Sequence, residues 1–191
     1  MTHCPRLLSA ALLGALCSVP LVPSRAMDAP ALPDLIELLR PPAPRTDTFS
    51  TTAINVPRAR PAATEAAART SAPEGTAAAA LALPFHSGSA NLTGDAEKIL
   101  DALGRALNSA ELSGYRFRIE GHTDTAGDAP VNLSLSERRA ATVREFLVSR
   151  LGVPAARLEA AGLGETQLLV QTPDGTPEPR NRRVQIVNLG G

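Results

Sequence analysis

The sequence contains few aromatic residues: four Phe, one Tyr and no Trp. A hydrophobic core must therefore be built from Leu, Val, Ile and Ala, and Ala buries little apolar area. Cysteine is almost absent, because Cys4 and Cys17 are the only two and both lie in the first 20 residues. A disulfide-stapled fold is excluded for the rest of the chain, and so is a thiol nucleophile there.

The chain also lacks an excess of either charge, with 19 Lys and Arg against 19 Asp and Glu. This balance argues against nucleic acid or a polybasic membrane surface as a partner. Lys98 is the only lysine, so no phosphate-binding loop with its lysine exists. Gly162-Leu163-Gly164 is not a dinucleotide loop, because no Gly-initiated helix follows it. No cofactor is predicted.

Residues 1–26 have the features of a secretory signal peptide. Arg6 supplies a positive charge, residues 7–16 are apolar, and Ser24-Arg25-Ala26 offers small residues for cleavage. The apolar run is shorter than the roughly 20 residues that span a bilayer. The sequence leaves two alternatives open for how the protein is anchored. One is an uncleaved signal. The other is lipidation at Cys17, although Leu16 before it is larger than the small residue expected at that position.

Residues 27–80 are rich in proline and alanine, with eight Pro and 15 Ala among 54 residues. Such a segment buries too little apolar area to offset its ordering entropy, so we predict a disordered linker. Residues 34–40 are an exception, since Leu35, Leu38 and Leu39 have helical spacing between prolines. Two turns of isolated helix are marginal. We expect a transient helix in the linker; the alternative is a docking motif for a partner.

The remaining residues, 81–191, carry alternating strand and helix patterns and form the predicted domain. A strand near 80–85 precedes a helix that Thr93 can cap, and a strand over 115–120 has one face toward solvent. A second helix is expected from Ser134 or Ser136 to Leu151, followed by strands at 157–161 and 183–188 around a loop at 162–180. The fold class is α/β: a two-layer α+β sandwich of order β-α-β-α-β-β, with helices on one face of a mixed sheet.

Three polar motifs stand at the ends of these elements: Gly-His-Thr-Asp at 121–124 with Gly127, Asn132 with Leu-Ser-x-x-Arg-Ala at 135–140, and Asn-Arg-Arg-Val at 181–184. In this order and spacing they resemble OmpA-like periplasmic domains, over roughly residues 81–189. The family includes the C-terminal domain of OmpA porins, peptidoglycan-associated lipoprotein and flagellar stator proteins. Its fold matches the element order predicted above.

The resemblance implies non-covalent binding of peptidoglycan through meso-diaminopimelate of the stem peptide. That side chain ends in an ammonium and a carboxylate on one carbon, which an anion and an Arg fork can recognise. By motif position, Asp124 is the expected ammonium acceptor and Arg139 the carboxylate clamp. The other expected binding residues, as pocket residues or supports, are Thr123, Gly127, Asn132, Leu135 and Arg183.

Simpler structural roles exist for each of these residues, such as a turn for Asn132 or a surface ion pair for Arg139. A metal pair of His122 and Asp124 lacks a third ligand at suitable spacing. An alternative function is a peptidoglycan hydrolase that uses Asp124 or Glu120 with His122, and another is a protein–protein adaptor. We favour a binding module without catalytic residues. It would lie in the periplasm, associated with the outer membrane, with an envelope protein as a further partner.

Overall fold

The computed structural model describes residues 31–42, 70–86 and 88–191. The predicted signal peptide and the predicted linker residues 43–69 lie outside these ranges. The elements described, in chain order, are α1 (Leu32–Leu39), β1 (Ala78–Leu81), α2 (Gly94–Leu107), β2 (Arg116–His122), α3 (Ala129–Ser149), a 3-10 turn (Ala155–Arg157), β3 (Leu158–Gly164) and β4 (Val184–Gly190). Within the described ranges, no helix has the length and apolar character needed to cross a membrane.

The four strands form one mixed sheet in the order β1-β4-β2-β3. β2 and β3 are parallel, whereas β4 is antiparallel to both of its neighbours. The crossover between the parallel strands is α3, as expected for a βαβ unit. The predicted element order and the mixed sheet are therefore confirmed, and the sheet places the C-terminal end of β2 next to the start of β4.

The two long helices begin at identifiable signals. Thr93 caps α2 as predicted, because its hydroxyl accepts a hydrogen bond from the amide of Ala96. α3 begins at Ala129, five residues before the predicted start. Pro130 lies in the first turn of α3, where the missing N–H of proline costs no hydrogen bond. The proline therefore favours the start of this helix. At the other end, Gly152 follows the helix with a φ of 67°, a left-handed conformation that favours glycine and is common just after helix ends.

Aliphatic side chains dominate the core between the helices and the sheet, with Phe117 as its one fully buried aromatic ring. α2, α3 and the inward residues of β2 and β4 supply most of it: Leu100, Leu103, Leu107, Phe117, Ile119, Val143, Leu147 and Ile186. Interdigitated aliphatic chains of this kind supply the main stabilisation of a small domain.

The outer face of the sheet is more buried than predicted. Glu120, expected to face solvent, is only 7% exposed, and Gln185 beside it is fully buried. The residues that cover them lie before the predicted domain boundary at 81: the amide of Ser71 donates to Gln185 Oε1 (2.9 Å). Residues from Ser71 onward, including β1, therefore pack with the domain although they precede the predicted boundary at 81.

The segment 32–39 also differs from the prediction of a transient helix in a disordered linker. It forms α1, and its residues Leu35 and Leu39 are both 0% exposed. They join the core cluster through contacts with α2 and β1. Burial of these leucines supplies the stabilisation that an isolated helix of this length lacks.

α3 lies directly on the backbone of the sheet where β2 and β3 carry glycines. A Cβ at Gly121 would stand 2.3 Å from the carbonyl oxygen of Ser136, and one at Gly162 would stand 2.4 Å from the amide nitrogen of Glu137. No side chain larger than hydrogen fits at either position. This close approach presses the first half of α3 against the end of β2.

Replacing Gly121 with alanine should therefore destabilise the domain, because the new methyl group collides with helix backbone that cannot rotate away. We expect a loss of about 1–3 kcal/mol in the free energy of unfolding, measured by urea denaturation. Gly114→Ala is the matched control, since nothing lies within 4 Å of its added Cβ. Equal effects of the two substitutions would contradict this account of the packing.

Candidate functional site

A cleft of about 280 Å³ opens at the C-terminal end of β2. The segment Ala82–Phe85 forms one side, and the loop before β4 forms another. The charged side chains that line it are Arg139 from α3 and the adjacent Arg182 and Arg183, with His122 at the strand end. A larger depression of about 760 Å³ lies along α3, but none of the predicted binding residues lines it.

Asp124 lies at the edge of this cleft, behind Arg182. Its carboxylate is 5% exposed, and its Oδ2 accepts hydrogen bonds from Arg182 Nη1 (2.6 Å) and from the amide of Glu178 (3.2 Å). Oδ1 has no hydrogen-bond partner among the described residues. Because 45% of the Arg182 side chain is exposed, its guanidinium can shift without disturbing the core. Asp124 is thus a buried carboxylate that Arg182 and the amide of Glu178 hold in place.

Arg139 is fixed on the cleft wall by two contacts. Its Nε donates to the carbonyl oxygen of Ser89 (3.0 Å), and its guanidinium carbon lies 4.8 Å from the centre of the Phe85 ring. Burial lowers the pKa of Arg139, and nearby Arg182 lowers it further, while Asp124 raises it. Neither Nη atom has a partner among the residues that the structure describes. The outer edge of the guanidinium is therefore free to bind a carboxylate.

Three other predicted residues shape the loop that carries Asp124, and they do not line the cleft. Asn132 Nδ2 donates to the carbonyl oxygens of Asp124 (3.3 Å) and Ala126 (3.2 Å) and to Glu165 Oε2 (2.8 Å). The amide of Thr123 donates to the carbonyl oxygen of Gly164 (2.9 Å). Gly127 has a φ of 97°, which strongly favours glycine. Together they fix the direction of the loop.

The remaining two predicted residues stand apart from Asp124. Leu135 is half-buried on α3. Arg183 is buried, and it donates to the hydroxyl of Ser71 (2.7 Å) and to the carbonyl oxygens of Gln167 (3.2 Å) and Asn181 (3.3 Å). Burial lowers its pKa to about 10, although Glu120 opposes the change. Arg183 thus holds together the segments around the start of β4.

Sequence analysis missed Arg182, which pairs with Asp124, and Phe85 and Ser89, which position Arg139. The sequence Arg182-Arg183 did indicate that one arginine could pair with Asp124. Adjacent side chains point in different directions, so only one of the two can face it. Which of the two does so depends on how the loop enters β4. The contact from Ser89 is made by its backbone carbonyl, so no side-chain pattern marks it.

His122 is buried beneath the cleft, with its ring 0% exposed and its Nε2 3.9 Å from Glu120 Oε2. Burial, and to a smaller extent the charge of Arg183, lower the pKa of His122 to about 3. Burial also raises the pKa of Glu120. The imidazole is therefore uncharged at neutral pH. Among the described residues, no three His, Cys, Asp or Glu side chains group closely enough to hold a metal ion.

Comparison with known proteins identifies the family. The model of the OmpA family matches residues 84–182, just over half of the chain. The chain belongs to the OmpA family, as its three motifs predicted.

Curated relatives fall in the same group. Over 107 residues the chain is 37% identical to the peptidoglycan-associated lipoprotein of Rhizobium meliloti, covering 56% of this chain and 58% of that protein. Over 96 residues it is 36% identical to the outer-membrane lipoprotein YfiB of Pseudomonas aeruginosa, covering 50% and 55%. The chain thus spans little more than half the length of these relatives.

Solved structures agree on the fold. The cell wall anchor of the type VI secretion system (T6SS) from Pseudomonas aeruginosa superposes with a TM-score of 0.52 at 26% identity, covering 61% of this chain and 82% of that one. A putative MotB-like protein from Desulfovibrio vulgaris gives a TM-score of 0.52 at 27% identity, covering 61% and 74%. The mixed sheet with its helices is the fold of this family.

The buried imidazole predicts a pH dependence of stability. In the unfolded chain His122 takes up a proton near its ordinary pKa of 6.5, whereas in the folded domain it does so only near 3. The stabilisation from a neutral His122 is therefore complete above pH 6.5 and is lost as the pH falls toward 3. The raised pKa of Glu120 opposes this loss in part.

Urea denaturation between pH 7 and 5 measures the effect. The free energy of unfolding should fall more steeply with decreasing pH in the wild type than in His122→Gln, which cannot titrate. Parallel curves for the two proteins would show that His122 titrates normally in the folded state.

Proposed function

We propose that this protein binds peptidoglycan non-covalently, through the diaminopimelate of the stem peptide. The observation that carries the proposal is the proximity of a held carboxylate, Asp124, to a guanidinium, Arg139, that is fixed on the cleft wall and whose Nη atoms have no partner among the described residues; the charge of Asp124 acts on Arg139. The names of two relatives, a peptidoglycan-associated lipoprotein and a cell wall anchor, point to the same ligand.

The chemistry of the ligand matches the two groups. The free end of diaminopimelate carries an ammonium and a carboxylate on one carbon. Arg139 offers both Nη atoms to the carboxylate in the bidentate geometry that arginine favours. Asp124 offers Oδ1 to the ammonium, with Arg182 sharing the carboxylate from the other side. An ammonium alone, or a carboxylate alone, would satisfy only half of the site.

Fixed positions of the two charged groups favour tight binding. Arg139 is held by Ser89 and Phe85, and Asp124 is held by the amide of Glu178. Side chains ordered before the ligand arrives lose little further conformational freedom on binding. We assign Thr123, Gly127 and Asn132 to holding the Asp124 loop.

The two remaining predicted residues receive supporting roles as well. We assign Arg183 to supporting the segments around β4. Leu135 packs near the start of α3 and carries no proposed contact with the charged end of the ligand.

The cellular setting follows from the N-terminal sequence and the relatives. We propose that residues 1–26 direct export and that the domain acts in the periplasm, linking the cell wall to the outer membrane or to an envelope protein. Two relatives are named as lipoproteins and one of them as an outer-membrane protein. Processing after Ala26 and lipidation at Cys17 differ in the mass of the mature chain, so mass spectrometry distinguishes them.

Binding fits the site better than hydrolysis does. Glycoside hydrolysis needs two carboxylates at a fixed separation, and other hydrolases need a nucleophile with its base. Asp124 is paired with Arg182, while His122 is buried with a pKa near 3. Incubation with purified sacculi separates the functions, because a binding module is retained on them and releases no soluble muropeptides.

Single substitutions at the charged pair test the proposal by calorimetry with a diaminopimelate-containing tripeptide. Asp124→Ala leaves the ligand ammonium unpaired, and Arg139→Ala leaves its carboxylate unpaired. Each should weaken binding by about 2–5 kcal/mol if the contacts exclude water. Arg138→Ala is the matched control, since Arg138 is exposed and contacts Ser134 on its own helix; it should change binding little.

A second ligand, a tripeptide with lysine in place of diaminopimelate, completes a double-mutant cycle between protein and ligand. Lysine has the ammonium but lacks the second carboxylate. Arg139→Ala should cost almost nothing against this ligand, whereas Asp124→Ala should still weaken it. Equal losses on both ligands from Arg139→Ala would assign Arg139 a structural role instead. Circular dichroism must show that each variant is folded.

A further inference from the structure

Helix α1 lies outside residues 84–182, the part of the chain that the OmpA family model matches. Its apolar side is nevertheless fully engaged with the domain. Leu35 and Leu39, one helical turn apart, are both buried, and Ile36 and Leu38 pack beside them. Its other side, with Asp34 and Glu37, is exposed. The family fold therefore does not account for this contact.

The surface that receives α1 is formed by α2, β1 and β4, and we call it the docking groove. One directed contact supplements the apolar packing: Asn188 Nδ2 donates to the carbonyl oxygen of Leu39 (2.7 Å). That carbonyl lies at the end of the helix, where no intrahelical donor can reach it. The docking groove thus recognises both the leucine spacing and the end of a short helix.

The helical form of this segment depends on the docking groove. Eight residues are too few for a stable helix in water, so undocking and unfolding of α1 are one event. The main contacts of α3 and β3 are with each other and with β2. Release of α1 therefore leaves β2, β3 and α3 in contact, and these elements position Asp124 and Arg139.

The contact of Asn188 with Leu39 and the loop that carries Asp124 lie at opposite ends of β2. Asn188 pairs with Phe117 at the start of this strand, whereas Asp124 follows its end. Seven residues at about 3.3 Å each separate the two ends by roughly 20 Å. Docking of α1 and binding at the cleft can therefore occur independently.

We propose that the docking groove is an interaction surface for the chain's own segment 31–42, and that α1 docks and releases while the rest of the domain stays folded. Docked, α1 holds residue 31 on the domain surface. Released, residue 31 can move away by at most the extended length of the 40 residues from 31 to 70, because Ser71 is bound to the sheet; that length is about 140 Å. This proposal rests on the proposed tethering function: docking or release of α1 would set how far the domain, with its cleft, can lie from the N-terminal end of the chain.

Hydrogen exchange of the full chain tests the release step. In the wild type the amides of 35–40 should exchange at least tenfold faster than those of β2, because they open without global unfolding. Glu37→Pro removes no buried side chain but breaks the helix from its exposed side. It should abolish protection of 35–40 and leave protection of β2 and affinity for the diaminopimelate tripeptide within about twofold. Glu37→Gln is the matched control and should change none of the three.

Distances between two spin labels, one on α1 and one on the domain, test whether α1 leaves the domain surface. In a Cys4→Ser, Cys17→Ser background, spin labels at Leu32→Cys and Ser113→Cys should give one narrow distance, and adding Glu37→Pro should give a broad distribution extending to longer distances.

Two results would overturn the proposal. One is exchange of 35–40 at the same rate as β2 in the wild type, which means that α1 opens only when the domain unfolds. The other is loss of β2 protection in Glu37→Pro, which makes α1 an inseparable part of the core. Failure of the tripeptide to bind the wild type would instead contradict the proposed function, and it would leave the exchange results unaffected.

Discussion

The close packing of α3 on the glycines of β2 and β3 is the constraint on which the site depends. Gly121 and Gly162 leave no room for a Cβ beneath Ser136 and Glu137. Because the helix rests on bare backbone, Asn132 comes close enough to hold the loop after β2. Two turns further along the same helix, Arg139 reaches the cleft. Larger residues at these glycines would move both side chains away from Asp124.

The charges that line the cleft are positive before any ligand arrives: Arg139, Arg182 and Arg183, with Asp124 behind Arg182. Asp124 is paired with Arg182, and Arg139 is attracted to Asp124 but repelled by Arg182. A ligand end that carries both an ammonium and a carboxylate adds no net charge to such a site, and its carboxylate can pair with Arg139. The buried Arg183 holds the surrounding segments together through its hydrogen bonds to Ser71 and to the carbonyl oxygen of Gln167.

Local features of the fold were predictable, and features that depend on distant segments were not. Helical periodicity and the cap at Thr93 located α2, because they involve neighbouring residues. The burial of Glu120 was missed because it depends on Ser71 reaching across the sheet to Gln185. The stability of α1 was underestimated for a similar reason. Its leucines indicated a helix, but nothing near them in the chain indicated the docking groove that receives it. Motif spacing predicts one binding site for Asp124 and Arg139, which stays a prediction, while the pairing of Arg182 rather than Arg183 with Asp124 depends on the loop geometry.

A crystal structure of the domain with the diaminopimelate tripeptide tests the central claim most directly. The account predicts that the terminal carboxylate of the ligand accepts hydrogen bonds from both Nη atoms of Arg139. The adjacent ammonium should lie within hydrogen-bond distance of Asp124, with Phe85 still against the guanidinium. A tripeptide bound elsewhere, or one whose charged end points into solvent while Arg139 stays unliganded, would contradict it.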